Sequence, residues 1–211
     1  MPLSFDKLPL FIFASIVLLL TPGPAVLYII ARSLDQGRAA GFVSVLSVEV
    51  GNFFHALAAA VGLSALLLSS ALAFSVVKYL GAAYLIYLGA RKLLVRSETT
   101  QKTHVEPQSM RRIFSQGVAV AVLNPKTALF FLAFLPQFID RSKGQVGLQL
   151  LTLGCLFVLM ALVSDGMYAL LASSAGSWLK SNRQFLLAER YVAGFIYIGL
   201  GLTAALSENP H

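Results

Sequence analysis

Four ionisable side chains lie inside long apolar stretches of this chain: Glu49, His55, Lys126 and Asp165. At bilayer depth such a group costs roughly 2.5–3.5 kcal/mol on insertion scales, and it usually faces a cavity or a partner group there. A carboxyl group or an imidazole exchanges protons, and a lysine binds carboxylates. These residue types therefore predict the binding of a charged small molecule, together with proton transfer, within a membrane.

Two of these residues and a further polar one recur at every third position, at Glu49, Asn52 and His55. On a helix this spacing covers a sector of about 120°. One interpretation is a cavity wall on which Glu49 or His55 exchanges a proton, and the alternative is hydrogen bonding that only joins helices. Asp165 is predicted to hold a proton or a substrate ammonium group, unless it forms an ion pair with Lys126. Lys126 binds a substrate carboxylate, pairs with Asp165 or extends to a membrane interface.

Two apolar segments are interrupted by proline, at Thr21-Pro22-Gly23-Pro24 and at Asn124-Pro125-Lys126. Proline removes a backbone donor and breaks a helix, and in hydrocarbon such a break survives only under protein or beside a watery cavity. A half-helix beginning after Pro24 or Pro125 exposes N–H groups that suit a carboxylate. Matched breaks in two halves predict the central site of a transporter. The alternative is a pair of kinks that only shape packing.

The composition indicates an integral membrane protein. The chain is 57% hydrophobic and 12% charged, against about 25% charged in soluble domains, and its mean hydropathy is +0.78. The net charge of +7 does not indicate nucleic-acid binding, because the basic residues lie between apolar segments. The single cysteine, Cys155, cannot form an internal disulfide, and no Cys/His spacing suggests a metal. We expect no metal and no cofactor.

The sequence predicts an all-α fold with six transmembrane helices. Their ranges are Leu8–Ala31, Ala40–Leu68, Leu72–Leu94, Ile113–Phe138, Val146–Leu171 and Leu187–Leu206. The polar residues 96–112 read as a cytoplasmic linker between a first repeat, residues 1–95, and a second, residues 113–211. The halves resemble each other, since Asn52-Phe53-Phe54-His55-Ala56-Leu57 aligns with Asp165-Gly166-Met167-Tyr168-Ala169-Leu170. Three helices per repeat make the two copies inverted in the membrane.

The basic residues predict the orientation. With the N-terminus outside, eleven lysines and arginines fall in cytoplasmic segments and four on the other side. Positive residues concentrate on the cytoplasmic side. Both termini are therefore expected to be periplasmic or extracellular. Glycine-rich faces on helices three and six leave room for a homodimer.

These motifs resemble the LysE/RhtB family of amino-acid exporters over essentially the whole chain. The resemblance rests on Thr21-Pro22-Gly23-Pro24, Gly51-Asn52 with His55, Lys78-Tyr79-Leu80-Gly81, Asn124-Pro125-Lys126 and Leu135-Pro136-Gln137-Phe138. It implies a multi-pass exporter in the bacterial inner (plasma) membrane that expels amino acids, or close relatives, by exchange with protons. The implied substrate-binding residues are Pro22, Gly23, Pro24, Asn52, Asn124, Pro125 and Lys126, with Glu49, His55 and Asp165 expected to couple protons. Glu49 is not expected in the family, and at the cavity wall it would favour a cationic cargo.

Other functions fit the sequence less well. No Gly-x-x-x-x-Gly-Lys-Ser/Thr motif is present, so no ATP site is expected. A membrane-embedded enzyme would need a metal cluster or a nucleophile–base pair, and the Glu49–His55 spacing supplies neither. Within transport, the alternative is an exporter of a cation or another small solute, because a helix bundle does not specify its cargo.

Overall fold

The computed structural model describes residues 7–63 and 108–181, and elsewhere the helical positions 76, 79, 83, 86, 87, 90, 93, 94, 191, 195, 198 and 202. Every regular element in these ranges is helical, as predicted. Two described helices, Pro24–Gly62 and Val146–Ser174, are long and apolar enough to cross a membrane, and a bent pair makes up to three. Predicted helices three and six, and most of the linker, lie outside the described ranges.

The first helix, α1, spans Leu8–Leu19, and the next, α2, begins at Pro24. Residues 20–23, here called the first break, separate them. Pro22 and Pro24 carry no backbone N–H, so the helical hydrogen bonds to residues 18 and 20 cannot form. Gly23 is extended, at φ −120° and ψ −173°. The predicted break in helix one is confirmed.

α2 spans Pro24–Ala58 but reverses direction at Gly37, which has φ 78° and ψ −169°. A methyl group in place of the Gly41 hydrogen would lie 2.3 Å from Ser33 Oγ, whereas eight residues of straight helix cover about 12 Å. The chain therefore folds back on itself as a helical hairpin. The predicted connection between helices one and two is therefore present. Its predicted edges at Ala31 and Ala40 are wrong, because helical hydrogen bonding continues from both sides up to Gly37.

Gly37→Ala is expected to destabilise this hairpin. The Gly37 conformation is essentially restricted to glycine and costs another residue about 1–3 kcal/mol, although no atom of the described residues lies within 4 Å to clash with a new methyl group. The midpoint of thermal unfolding in detergent should fall by several degrees. The matched control is Gly166→Ala, which meets open space in a regular helix. Equal midpoints for the two variants would contradict the assignment of the turn.

α3 spans Met110–Val122, and α4 spans Pro125–Leu129 and continues as irregular helical turns to Phe138. Residues 123 and 124, the second break, separate them. The helix axis bends by 43° across this break. The predicted break in helix four is confirmed. α3 begins three residues before the predicted Ile113, because the Ser109 side chain caps it by accepting from Arg112 N.

α5 spans Val146–Ser181, beginning at the predicted residue and passing the predicted end at Leu171. Aromatic side chains of α1, α4 and α5 form one core cluster, in which Phe130 packs against Phe11 and Phe157. A methyl group on Gly51 would lie 2.4 Å from Ala121 Cβ. This close approach holds α2 against α3, one turn before the second break.

Candidate functional site

A small cavity of about 30 Å³ lies between the two breaks. Its polar wall combines both breaks with α2 and α5, and its residues include Gly23, Asn52, Asn124, Lys126, Thr127 and Asp165. A water molecule needs roughly 10–15 Å³ of such space, so the cavity holds about two waters and is too small for an amino acid. The cavity would have to widen before an amino acid could enter it.

Lys126 links the second break to the first. Its Nζ donates to Leu18 O at 2.7 Å and also to Thr21 O. Leu18 O would accept from residue 22 in a continuous helix, but Pro22 has no donor. Leu18 O instead accepts from Thr21 N at 3.2 Å and from the lysine. The ammonium group also lies at the negative end of the α1 dipole. The side chain is only 8% exposed, so the alternative in which Lys126 extends to a membrane interface is wrong.

Two neighbours fix the position of this lysine. The Asn124 side chain accepts from Lys126 N at 3.1 Å and so caps α4. A methyl group on Gly23 would lie 3.0 Å from Lys126 Cδ. The glycine therefore leaves space for the lysine stem at the first break.

A pair of carboxyl groups lies beside the lysine. Glu49 and Asp165 are 6% and 3% exposed, and their side chains are close enough to hydrogen-bond. Asn52 Nδ2 donates to Glu49 Oε2 at 3.1 Å, and the charge of Lys126 acts on Asp165. Among the described residues, no donor reaches Glu49 Oε1 or Asp165 Oδ1. Two ionised carboxylates at this contact repel, whereas one shared proton turns the contact into a hydrogen bond.

The structure brings most of the predicted residues together. Gly23, Asn52, Asn124, Lys126 and Asp165 line the cavity, and Glu49 contacts two of them without lining it. Pro24 and Pro125 are exposed and Pro22 is half-buried, so the prolines shape the breaks rather than form the wall. His55 lies outside the lining, where its ring contacts Ala121 O at 3.2 Å and stacks on Phe131.

The sequence reasoning missed Tyr168. Its hydroxyl donates to Leu20 O at 2.9 Å, the carbonyl that Pro24 leaves without its helical partner. A signal was available, because every proline in a helix leaves an acceptor four residues earlier. The identity of the donor was not predictable, because Tyr168 is 148 residues away along the chain.

Within the described ranges, no three His, Cys, Asp or Glu side chains converge as metal ligands. The chemistry that these residues offer is therefore that of a buried ammonium group, two side-chain amides and a carboxyl pair. These groups have the chemistry needed to pair with a small molecule carrying both charges and to hold a proton.

Comparison with known proteins gives a consistent assignment. The family model for LysE type translocators matches residues 16–208. The homoserine/homoserine lactone efflux protein of Salmonella typhimurium is 30% identical over 204 residues, covering 96% of this chain and 98% of that protein. The uncharacterized membrane protein YrhP of Bacillus subtilis is 29% identical over 200 residues, covering 90% and 94%. No solved structure gives a significant match.

Proposed function

The chain belongs to the family of LysE type translocators, and we propose that it exports amino acids or closely related small solutes across the bacterial plasma membrane in exchange for protons. Export of a small solute is the activity named for the Salmonella typhimurium relative. The choice of amino acids, the proton coupling and the residue roles are the proposal. The observation that carries it is the cavity in which Lys126 and Asp165 meet between two broken helices.

An amino acid carries a carboxylate and an ammonium group, and the cavity offers a partner for each. The carboxylate is assigned to Lys126 and to the start of α2, where Ala25 and Val26 line the cavity. No side chain in the described part of the chain caps that helix start, so its backbone N–H groups can receive an anion. The ammonium group is assigned to Asp165, with Asn52 and Asn124 as hydrogen-bonding neighbours.

Proton coupling is assigned to the Glu49–Asp165 pair. A proton shared between the carboxyl groups keeps the closed cavity free of like-charge repulsion. Its release leaves an ionised Asp165 that attracts the cargo ammonium group, so proton and cargo occupy the pair in turn. His55 was expected to share this role, but it lies outside the cavity lining, and a different role is argued below.

The energy of one proton is sufficient for such an exporter. One charge crossing 100 mV releases about 2.3 kcal/mol. Since each 1.4 kcal/mol sustains a tenfold concentration ratio, one net charge per cargo molecule supports a gradient of roughly fortyfold. Proton entry down the membrane potential can therefore drive export of an amino-acid excess without ATP.

The nature of the cargo is inferred from the site and from a relative. Homoserine, named for the Salmonella relative, is a small amino acid with no net charge, and the cavity walls pair one ammonium group with one carboxyl group. A preference for cationic cargo was expected only if Glu49 lay at the cavity wall. Glu49 does not line the cavity, so we do not propose that preference. We propose small amino acids of zero net charge as the first candidates.

The proposed architecture is that of six transmembrane helices in two inverted repeats, with both termini outside. The two breaks occupy matching places in the two halves and border the same cavity, which supports this arrangement. A homodimer through the glycine-rich faces of predicted helices three and six completes the proposal, and those faces lie outside the described residues.

Efflux from cells tests the proposed function. Cells that overproduce the chain are loaded with dipeptides so that free amino acids accumulate inside, and all released amino acids are followed over minutes with and without a protonophore. Faster release of one or a few amino acids, abolished by the protonophore, is the expected result. Unchanged release, with the protein present in the membrane, would exclude amino acids and turn attention to cations and other small solutes.

A further inference from the structure

The three prolines of the two breaks deprive three backbone carbonyls of their helical donors: those of Leu18, Leu20 and Ala121, each four residues earlier. Each of these carbonyls contacts a side chain from the other half of the chain. Lys126 donates to Leu18 O, Tyr168 to Leu20 O and His55 to Ala121 O. Leu18 O and Ala121 O also accept from the backbone N–H groups of Thr21 and Asn124, at 3.2 and 3.0 Å, so Lys126 and His55 add a second hydrogen bond to these carbonyls. Among the described residues, Leu20 O receives no such backbone donor and relies on Tyr168. In hydrocarbon an unsatisfied carbonyl costs several kcal/mol, so the Tyr168 contact satisfies an otherwise orphaned acceptor, and all three contacts join a break to the other half of the chain.

Two of the three contacts are equivalent. Leu20 precedes Pro24 by four residues and Ala121 precedes Pro125 by four. Tyr168 and His55 also occupy equivalent places, each three residues after the polar residue of its helix, Asp165 or Asn52. The side chain at this equivalent position in each half therefore contacts the helix break of the other half. This exchange of contacts is the pattern that a two-fold relation between similar units produces.

We propose that Tyr168 and His55 are a matched pair of positioning residues, each of which holds one helix break so that the cavity between the breaks stays closed. This inference rests on the proposed function, because it concerns the opening of the same cavity. Neither side chain lines the cavity, so each acts through the backbone that it holds. A carbonyl only accepts, so in this contact His55 carries its proton on Nε2. A different side chain that places a donor at the position of Nε2 should therefore be able to replace His55.

Thiol labelling tests the pair without knowledge of the cargo. Ala25 lines the cavity, so Ala25→Cys in a Cys155→Ala background reports on its opening. The measured quantity is the rate at which the new cysteine reacts with a membrane-impermeant cationic methanethiosulfonate reagent. Unsealed membrane fragments are used, so that the reagent reaches both faces of the membrane. Tyr168→Phe and His55→Leu should each raise that rate two- to tenfold, the factor that corresponds to the roughly 0.5–1.5 kcal/mol of one hydrogen bond.

Two matched variants make the test specific. His55→Gln restores a donor at the position of Nε2 and should keep the rate within twofold of the parent. Tyr28 also donates to a distant carbonyl, that of Ile113, at 2.7 Å, but no proline lies four residues after Ile113. Tyr28→Phe should therefore leave the rate unchanged. An unchanged rate in Tyr168→Phe, or an equal rise in His55→Gln and His55→Leu, would overturn the proposal.

The result separates this inference from the proposed function. If cells release no amino acid but Tyr168→Phe still opens the cavity, the pairing stands and the cargo assignment fails. If the parent exports an amino acid and the labelling rates do not change, the pairing fails and the cargo assignment stands. Loss of protonophore sensitivity in His55→Gln would identify His55 as a proton carrier and overturn its role as a positioning residue.

Discussion

Lys126→Met is expected to abolish export, with a fall of at least a hundredfold in the initial rate of cargo release. The variant removes a donor from the carbonyls of Leu18 and Thr21. Leu18 O keeps its bond from Thr21 N, whereas Thr21 O loses the donor that Lys126 supplies, and a buried acceptor left without a partner costs about 1–3 kcal/mol. It also removes the positive charge assigned to the cargo carboxylate. The measurement is release from dipeptide-fed cells at matched amounts of membrane protein.

The control for this variant is Lys143→Met. Lys143 is an exposed lysine in the short segment between α4 and α5, and its substitution should leave the initial rate unchanged. Lys126→Arg keeps the charge but replaces a compact ammonium group with a larger planar one, and it should give an intermediate rate. Export by Lys126→Met at more than half the parental rate would remove the lysine from the mechanism.

Asp165→Asn is expected to uncouple export from the proton gradient. An asparagine cannot bind and release the proton that Glu49 and Asp165 are proposed to share. Accumulation of cargo against its gradient should therefore disappear, while exchange of cargo for cargo across the membrane persists at a reduced rate. Both quantities can be measured in vesicles by imposing a pH gradient in one experiment and a cargo gradient in the other.

The matched control is Asp35→Asn, because Asp35 is an exposed carboxylate close to the turn of α2. It should retain both accumulation and exchange. Full accumulation by Asp165→Asn would assign the proton step to another group, with Glu49 the next candidate. The loss of exchange together with accumulation would leave Asp165 with its assigned role in cargo binding, or a structural one, and would remove the support for its role in proton coupling.

Much of the site was predictable because proline and charge obey strong local rules. A proline in a helix removes a donor wherever it occurs, so both breaks follow from the sequence. A buried charge is costly, so Lys126 and Asp165 were expected to have partners, and both line one cavity. The three-residue spacing of Glu49 and Asn52 also predicted a shared helix face, and the two side chains hydrogen-bond.

The long-range contacts were not predictable, because they depend on how distant helices pack. Lys126 binds Leu18 O across 108 residues, and no local pattern specifies that pair. The turn at Gly37 falls within the predicted connection between helices one and two, residues 32–39, but the predicted length of this connection was wrong for a different reason. The polar residues around it resemble a loop, but they continue the helical hydrogen bonding, and only the glycine leaves the helical region. A glycine after a helical run was the available signal.

The most direct test of proton-coupled export uses purified protein in sealed vesicles. The vesicles are loaded with the cargo that the cell experiment identifies, and a pH gradient of either direction is imposed while cargo movement is followed. We predict movement of cargo against its concentration gradient, driven by protons moving the opposite way, in vesicles with the parent protein and not with Asp165→Asn. Cargo movement that only follows its own gradient, regardless of the pH difference, would contradict the proposed exchange.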